Sequence, residues 1–373
     1  MTEITFLHTS DWQLGMTRWF LDDDAQARFD AARLAAIEKL GQVALEHGCA
    51  FIVVAGDVFD ANSLKRRTLA RALDTLSELP VPVYLLPGNH DPLTADSVFY
   101  STTDIAGVTV LSDSKPVSAA PGVEIVGAPL LSKRATTDLV SAAIEPLAPY
   151  DGVRILVGHG QVASRGDIKP DLIDLARVET ALNDGTLTYV ALGDTHSTES
   201  LGTTGRVWFS GSPEVTDFHD HATAGGGESN SGYALVVTAT ENSVDVSEIP
   251  IGTWTFDALD WELLSSDDVD AFLGTLKDYP NKPCTAIKYG LRGTLDVPTM
   301  QRLEQGLDDL EPVFASLKPR ERLMDLVLAP QPEDLAELSI AGYARAALDE
   351  LIDSSDPAAD SAVRLMFRLA KGA

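Results

Sequence analysis

The chain has 373 residues, 45% of them hydrophobic and 23% charged, and its formal net charge is −28. This length favours two domains, the apolar content excludes a disordered chain, and no apolar run is long enough to cross a membrane. With no signal segment at its start, we expect a soluble cytoplasmic protein without a membrane partner, and so negative a field disfavours DNA binding unless a partner supplies a positive surface.

Residues 1–250 alternate apolar, β-branched runs with helical patterns. "ITFLHTS", "AFIVVAGDVFD" and "VPVYLLPGNHD" predict strands, with helices over "DAQARFDAARLAAIEKLGQVALEHG" and "RRTLARALDTLSEL" between them. Further strand-like runs follow: "VEIVGAPL", "VRILVGHG", "LTYVALGDTHS", "RVWFSGSP" and "YALVVTAT". Buried strands separated by helices predict an α/β domain over 1–250.

The pattern changes after Pro250, and we predict a smaller mixed α+β domain with a helical tail over 251–373. "TAIKYGLRGTL" and "ERLMDLVLAP" indicate strands around a helix over "PTMQRLEQGLDDLEPVFASL", and the tail helices cover "PEDLAELSIAGYARAALDELI" and "PAADSAVRLMFRLAKG". The last helix has Val363, Met366, Phe367 and Ala370 on one stripe. That stripe either packs on the chain's own domain or docks on a partner's coiled coil.

Strand-like runs of the first domain end in loops that carry side chains able to bind metal. Sites in α/β sheets form at the carboxyl ends of strands, so residues far apart in sequence can meet there. Carboxylate, amide and imidazole groups together suit two divalent ions, and favour manganese or iron over a metal that prefers thiolates. The candidates are Asp11, Gln13, Asp57, Asn89, His90, His159, Asp194 and His196.

The ordered blocks "FLHTSDWQLG", "VVAGDVFD", "LLPGNHD", "GHG" and "YVALGDTHS" resemble the calcineurin-like metallophosphoesterases. Within that superfamily their wording, together with "FSGSPEVTDF", is most similar to the SbcD-type DNA repair exonuclease subunits. The resemblance covers roughly residues 4–220 and, more loosely, the C-terminal part. It implies an α/β/β/α sandwich, in which two facing sheets are covered by helices, and a smaller C-terminal capping domain that binds a partner.

The resemblance also implies a role for each candidate ligand. Asp11 and His196 would bind the first ion, Asn89 and His159 the second, and Asp57 would bridge both.

The loop "GNHD" would supply the catalytic residues. His90 would act on the scissile phosphate or the leaving oxygen, as a general acid or as an electrostatic stabiliser. For Asp91 two roles are open: it orients His90, or it caps the turn.

Gln13 and Asp194 depart from the family's pattern, because both positions are usually histidine. An amide oxygen is a weaker ligand than imidazole, whereas a carboxylate is a good ligand that adds a negative charge. Three outcomes are therefore open: an adapted two-metal site, a site with one tight and one weak ion in which Gln13 touches only a bound water, or an inactive site. The intact His90 and Asp57 favour the first.

These features predict a metal-dependent phosphodiesterase, an exonuclease or endonuclease of the SbcD type that acts in DNA repair and uses a water activated by two ions. Mn²⁺ suits the donors best, with Fe²⁺ or Mg²⁺ as alternatives. The implied partners are DNA, an SbcC-type coiled-coil ATPase subunit and a second copy of the chain.

Lys65, Arg66 and Arg67 follow the second loop, at the start of a predicted helix. They could hold a substrate phosphate, although a solvated helix face with salt bridges explains them at least as well.

Two other functions stay open. One is a phosphodiesterase or phosphatase that acts on a small molecule such as a cyclic nucleotide. The other is a non-catalytic scaffold subunit with a degraded metal site, an idea that rests on Gln13 and Asp194.

Overall fold

The computed structural model describes residues 2–163, 169–220, 228–329, 335, 338, 340–356 and 358–371. The strands in these ranges are β1 (Glu3–Thr9), β2 (Ile52–Val54), β3 (Val83–Leu85), β4 (Val108–Val110), β5 (Val117–Ala120), β6 (Val123–Gly127), β7 (Val153–His159), β8 (Tyr189–Gly193), β9 (Glu199–Leu201), β10 (Val207–Phe209), β11 (His219–Asp220), β12 (Tyr233–Thr240), β13 (Val244–Pro250), β14 (Thr255–Leu263), β15 (Thr285–Leu295), β16 (Ser316–Pro319) and β17 (Asp325–Leu328).

The α-helices in the same ranges are α1 (Asp23–Glu46), α2 (Arg66–Ser77), α3 (Leu139–Ile144), α4 (Leu175–Asn183), α5 (Ser266–Asp278), α6 (Val297–Leu310), α7 (Tyr343–Ile352) and α8 (Ala359–Lys371). Short 3₁₀ turns cover Val98–Thr102, Lys282–Cys284, Glu311–Val313 and Glu321–Leu323. In the part of the chain that is described, no helix is long and apolar enough to cross a membrane.

Two sheets of six described strands build the first part of the chain. One has the order β13-β12-β1-β2-β3-β4 and the other β5-β6-β7-β8-β10-β9. β1 to β4 are mutually parallel, and so are β6, β7, β8 and β10. The carboxyl ends of the parallel strands therefore lie at one edge of each sheet, and the loops that follow these strands leave from that edge.

The two sheets pack face to face through one side of each. Alternate residues of a strand point to opposite sides of its sheet, so every second residue of a strand lies between the sheets. Phe6 and Val53 of the first sheet share a buried cluster with Ile155 and Tyr189 of the second. Leu7, on the opposite face of β1, packs against α1 and α2. Residues of β6, β7 and β8 bury their other face under α3 and α4. This is the predicted α/β/β/α arrangement.

The chain folds as two compact units. The first holds nearly all of the chain up to Trp254, and the second begins at Thr255 and adds the short segments Phe20–Ala25 and Phe218–Asp220. In the second unit β14, β15, β16 and β17 are parallel, and β11 pairs with β14. Leu263, Phe272 and Leu303 belong to its buried cluster.

The structure corrects several predicted elements of this second unit. The helix predicted over residues 298–317 ends at Leu310, because Pro312 has no N–H with which to continue the helical hydrogen bonds. The residues after it form a 3₁₀ turn and then β16. The strand predicted over 321–330 begins only at Asp325, after another 3₁₀ turn. The two predicted tail helices extend partly beyond the described residues, and the described helices there are α7 and α8.

Candidate metal centre

Loops at the carboxyl ends of β1, β2, β3, β7 and β8 carry the predicted ligands. The first two loops are joined by backbone hydrogen bonds, from the Asp11 N–H to the Gly56 carbonyl at 3.0 Å and from the Gln13 N–H to the Asp57 carbonyl at 2.9 Å. A side chain on Gly56 would collide with the ring of His159, so glycine is required for the second and fourth loops to approach so closely.

Backbone strain in the described residues is concentrated at this point. Four non-glycine residues there have positive φ: Asp11 at 53°, Gln13 at 44°, Asp57 at 52° and Asp194 at 94°. Each is a predicted ligand, and two of them are the departures from the family's pattern. Such backbone is unfavourable by about 1–3 kcal/mol per residue and persists where the surroundings enforce it, typically at functional sites.

Asp57 lies at the middle of the cluster. The ligand atoms of Asp11, Asp57 and His159 lie within 4.8 Å of one another, and all three residues are buried. One carboxylate oxygen of Asp57 accepts the backbone N–H of His90 at 2.9 Å and lies 3.4 Å from Nε2 of His159. The hydroxyl of Ser10 donates to the carboxylate of Asp11 at 2.6 Å and orients it.

The ring of His159 is held in the tautomer that a metal ligand needs. Its Nδ1 donates to the carbonyl of Ala55 at 2.8 Å, which leaves the Nε2 lone pair free in the neutral ring. Nε2 lies 2.8 Å from Oδ1 of Asn89, 3.4 Å from Asp57 and 3.7 Å from Asp194. Nitrogen and oxygen ligands from four loops thus converge on one point.

His196 lies on the other side of the cluster, with Nε2 3.8 Å from Oδ1 of Asp11. Its Nδ1 faces the buried carboxylate of Glu228 at 3.1 Å and the hydroxyl of Thr216. Glu228 also accepts the backbone N–H groups of Thr216 and Asp217, so its position is fixed. A carboxylate behind a histidine ligand orients the ring and makes it a stronger ligand. Glu228 was not among the residues predicted from the sequence.

We expect Glu228→Gln to weaken metal binding by about 10–100-fold, because the neutral amide no longer polarises the ring of His196. Isothermal titration with Mn²⁺ measures this affinity. Glu214→Gln is the matched control: Glu214 is also buried and accepts the N–H groups of Thr253 and Trp254. Equal losses in the two variants would contradict a specific role for Glu228.

Gln13 is buried between Asp57 and His196. Its Nε2 lies 3.4 Å from Oδ2 of Asp57 and 3.3 Å from Nε2 of His196, while Oε1 has no partner among the described residues. A half-turn of the amide would bring Oε1 to the place of Nε2, beside the candidate ligands Asp57 and His196. A buried carbonyl oxygen without a donor needs either a cation or a water.

Gln13→His should tighten the binding of the more weakly bound ion by on the order of tenfold, equivalent to about 1.4 kcal/mol, because imidazole is the better ligand for Mn²⁺ and Fe²⁺. A metal titration of the variant, with Gln13→Ala as the control for loss of the amide, measures the change. No gain in affinity would count against Gln13 as a ligand position.

Asp194 lies on the side of His159. Its backbone N–H donates to the carboxylate of Asp11 at 3.2 Å, and its own Oδ2 accepts the amide of Gln161. Oδ1 is left 3.7 Å from Nε2 of His159. The two departures thus fall on different sides of the cluster, Asp194 beside His159 and Gln13 beside His196.

His90 borders the cluster and is partly open to solvent, with 39% of its side chain exposed. Its Nδ1 lies 3.0 Å from the carbonyl of Asp60, which only a ring N–H can satisfy. Nε2 is therefore the atom left for a substrate, and it lies 4.0 Å from Oδ2 of Asp57.

Asp91 is fully buried, and its carboxylate accepts hydrogen bonds from backbone N–H groups. Its two oxygens accept the N–H groups of Phe59 at 2.9 Å and Gly88 at 2.8 Å, which ties the second loop to the third. Burial and the charge of Asp57 raise the pKa of Asp91 to about 7. Of the two roles open for Asp91, these bonds support the turn cap, and the ring of His90 is held by Asp60 instead.

We expect Asp91→Ala to lower the free energy of unfolding by about 2–5 kcal/mol, because two buried N–H groups lose their acceptor. Asp91→Asn keeps one acceptor oxygen and should lose less. Urea denaturation followed by circular dichroism compares the variants. An unchanged midpoint for Asp91→Ala would show that the carboxylate has no structural role.

The buried charges of the cluster shift one another's pKa values. Burial raises the pKa of Asp11 to about 6, and His196 and His159 only partly offset this. Burial opposes the charged form of His159 as well, but carboxylates, first among them Asp57, hold its pKa well above the usual value. Burial also acts against the charge of Asp57, yet His159 and the N–H of His90 lower its pKa. A divalent ion would replace the ring protons as the positive charge, so metal binding must release protons.

These residues fit divalent metal ions. They offer buried oxygen and nitrogen donors, a histidine fixed with its Nε2 lone pair toward three oxygens, and an amide oxygen without a donor. Such a donor set suits borderline and hard cations such as Mn²⁺, Fe²⁺ and Mg²⁺.

Lys65, Arg66 and Arg67 are exposed at the start of α2, outside this cluster. Among the described residues none of the three forms an ion pair, so the predicted salt bridges of a solvated face are not found there.

Known proteins share this pattern of loops. Residues 4–246 match the calcineurin-like phosphoesterase family, and the chain belongs to that family. Its members are metal-dependent hydrolases of phosphoric esters, as the sequence predicted.

The chain can also be compared with individual proteins. The chain is 25% identical over 392 aligned positions to the SbcD subunit of the nuclease SbcCD of Escherichia coli (strain K12), with 93% of this chain and 94% of that protein covered. It is 33% identical over 99 residues to the uncharacterized metallophosphoesterase YhaO of Bacillus subtilis (strain 168), covering 25% and 24% of the two chains. Over 110 residues it is 28% identical to the DNA double-strand break repair protein Mre11 of Archaeoglobus fulgidus, covering 28% and 23%.

Proposed function

We propose that this protein is a metal-dependent DNA nuclease of the SbcD type. The observation that carries the proposal is the convergence of Asp11, Asp57 and His159, with the ring of His90 beside them, in a chain that aligns along 93% of its length with a nuclease subunit. The similarity continues through the second unit, which a phosphatase for small molecules would not need.

The proposed centre holds two ions, most suitably Mn²⁺, with Fe²⁺ and Mg²⁺ as alternatives. Asp57 would hold both ions, with Asp11, Gln13 and His196 as further ligands on one side and Asn89, His159 and Asp194 on the other. When bound, the ions activate a water and neutralise charge on the phosphate.

The remaining steps of the proposed reaction depend on histidine side chains of the chain itself. His159 is held by the carbonyl of Ala55, and His196 by Glu228, so neither ring needs to reorganise during the reaction. His90 presents Nε2 at the open side while Nδ1–H is held by the carbonyl of Asp60. In the doubly protonated ring, Nε2–H donates a hydrogen bond or its proton to the leaving sugar oxygen, and the neutral ring then takes a proton back from water.

The proposed organisation assigns the nuclease to residues 1–250 and partner binding to 251–373. In the tail, Val363 is buried against Leu348, and Met366 and Phe367 pack around them, so most of the predicted stripe is covered by the chain itself. Leu365 and Leu369 are 49% and 64% exposed on another side of α8. We propose this second face for an SbcC-type coiled-coil partner, which would also bring positive charge for DNA.

Two comparisons test the function itself. Release of nucleotides from linear DNA, set against hydrolysis of a cyclic nucleotide, distinguishes a nuclease from a small-molecule phosphodiesterase. Counting bound metal by mass spectrometry distinguishes both from a scaffold with a degraded site. We expect about two ions per chain and a preference for DNA. A chain that binds no metal would support the scaffold, and hydrolysis of only the cyclic nucleotide would support the second function. Homodimerisation and the cytoplasmic location stay predictions.

A further inference from the structure

A cavity of about 340 Å³ lies between α1 and α2 in the first unit, beside the backbone of the loop after β1. This volume falls within the range of small-ligand sites. Leu14 and Gly15 of that loop line it, together with residues of both helices. Gly15 has φ +100°, and a side chain there would collide with Leu64, so glycine keeps this wall of the cavity open.

The cavity is lined by cations in a chain whose net charge is −28. Lys65, just before α2, and Arg67 and Arg71 of α2 reach it from the exposed side, and none of them forms an ion pair with a described residue. Asp30 is the acidic residue of the lining, and it already accepts the amide of Gln26 at 2.6 Å. The lining therefore has four cationic side chains, those of Lys65, Arg67, Arg71 and Arg33, against the one carboxylate of Asp30.

The start of α2 adds to the same positive field. Lys65 is its N-cap residue, but no side chain caps the helix, and the first turn contains no acidic residue. The free N–H groups and the helix dipole at an uncapped N-terminus favour an anion. Thr68, in that first turn, also lines the cavity.

A buried arginine adds a positive charge that does not come from α2. Arg33 lines the cavity from α1 and is only 3% exposed. Its terminal nitrogens donate to the carbonyls of Trp12 and Val215, whereas its Nε has no acceptor among the described residues. Its buried guanidinium keeps a fixed positive charge beside the cavity, which favours an anion there.

We propose that this α1–α2 cavity binds a phosphate group. Phosphate has acceptor oxygens for several donors at once and matches the planar fork of arginine. The apolar floor, which includes Leu34 and Ala72, suits an organic phosphate such as a nucleotide better than a bare ion. The proposal does not depend on the proposed hydrolysis of DNA.

Ala27 provides the sharpest test, because it lines the cavity and its side chain is exposed on α1. Ala27→Glu puts a negative charge into the site, and Ala27→Gln puts in the same bulk without the charge. Ala35→Glu makes the same charge change on an exposed position of the same helix that does not line the cavity. Arg71→Gln removes one cation without adding bulk.

Binding of dAMP is measured by isothermal titration with a chelator present, so that neither the metal centre nor hydrolysis contributes. Deoxyadenosine, which lacks the phosphate, is the ligand control. We expect dAMP to bind the wild type, Ala27→Gln and Ala35→Glu, not to bind Ala27→Glu, and to bind Arg71→Gln about tenfold more weakly. Deoxyadenosine should not bind.

A second arm replaces dAMP by a short single strand with or without a 5′-phosphate. Binding that needs this phosphate and is lost in Ala27→Glu would identify a strand end as the source of the group, and binding of dAMP alone would identify a free nucleotide. Either result supports the site. The proposal is overturned if the wild type binds neither probe, or if Ala27→Glu binds them as the wild type does.

Discussion

Asp57→Asn should abolish phosphoester hydrolysis, with a loss of at least about 10³-fold, and should remove bound metal. Asp57 is the carboxylate that reaches both sides of the cluster, within 3.4 Å of His159 and of the amide of Gln13. Charge stabilisation by metal ions is worth several kcal/mol, and each factor of ten in rate is about 1.4 kcal/mol. Asparagine keeps the shape and one acceptor oxygen for the N–H of His90, so the fold should survive.

Metal content by mass spectrometry and activity on a generic phosphodiester check this prediction. Asp113→Asn is the control, because it removes the same charge from an exposed carboxylate that is paired with Lys115. A variant at position 57 that keeps both its metal and its activity would rule out Asp57 as the bridging ligand.

His90→Ala should lower kcat by about 10²–10⁴-fold while leaving metal content and stability unchanged. The ring is partly exposed and is fixed through Nδ1 by the carbonyl of Asp60, so Nε2 is free for the substrate. Because Nε2 lies 4.0 Å from Oδ2 of Asp57, beyond hydrogen-bond distance, we do not expect the ring to be needed to hold the cluster together.

Steady-state kinetics with Mn²⁺ and a urea titration separate these effects. His47→Ala, at an exposed histidine near the end of α1, is the matched control and should behave as the wild type. If the His90 variant loses metal in proportion to activity, its role is that of a ligand and not of an acid.

The candidate ligands could be found from the sequence because each stands directly after a buried strand. The parallel order of β1, β2 and β3 puts three of those loops at one edge, and β7 and β8 face them from the second sheet. No local signal, however, predicts the positive φ of Gln13 and Asp194. It comes from the bonds between neighbouring loops, which exist only once the sheets have packed.

Glu228 could not be found in this way. It stands in the glycine- and serine-rich stretch "AGGGESNSG", 32 residues after His196, and no strand-like run of the sequence directly precedes it. Its place behind the ring depends on the backbone N–H groups of Thr216 and Asp217, which donate to its carboxylate. A single acidic residue in an otherwise neutral loop was the available hint, and such residues are common on surfaces.

The second unit was harder to predict for a different reason. β14 and α5 were missed, although the side chain of Ser265 accepts the N–H of Asp268, as at many helix starts. The alternating strand "TFDALDWEL" has three acidic residues, which make it look like a loop. Pro312 was the signal that ends α6. The long apolar strand "TAIKYGLRGTL" was predicted to its last residue, because both of its faces are buried.

Cleavage of end-labelled linear DNA by the purified chain with Mn²⁺, alongside His90→Ala, tests the central claim most directly. Degradation by the wild type that is lost in the variant and on chelation is the predicted result, and it would show that the centre with Gln13 and Asp194 is adapted for catalysis. A chain that carries its metal, hydrolyses a small phosphodiester and leaves DNA intact, alone and with a coiled-coil ATPase partner, would contradict the account.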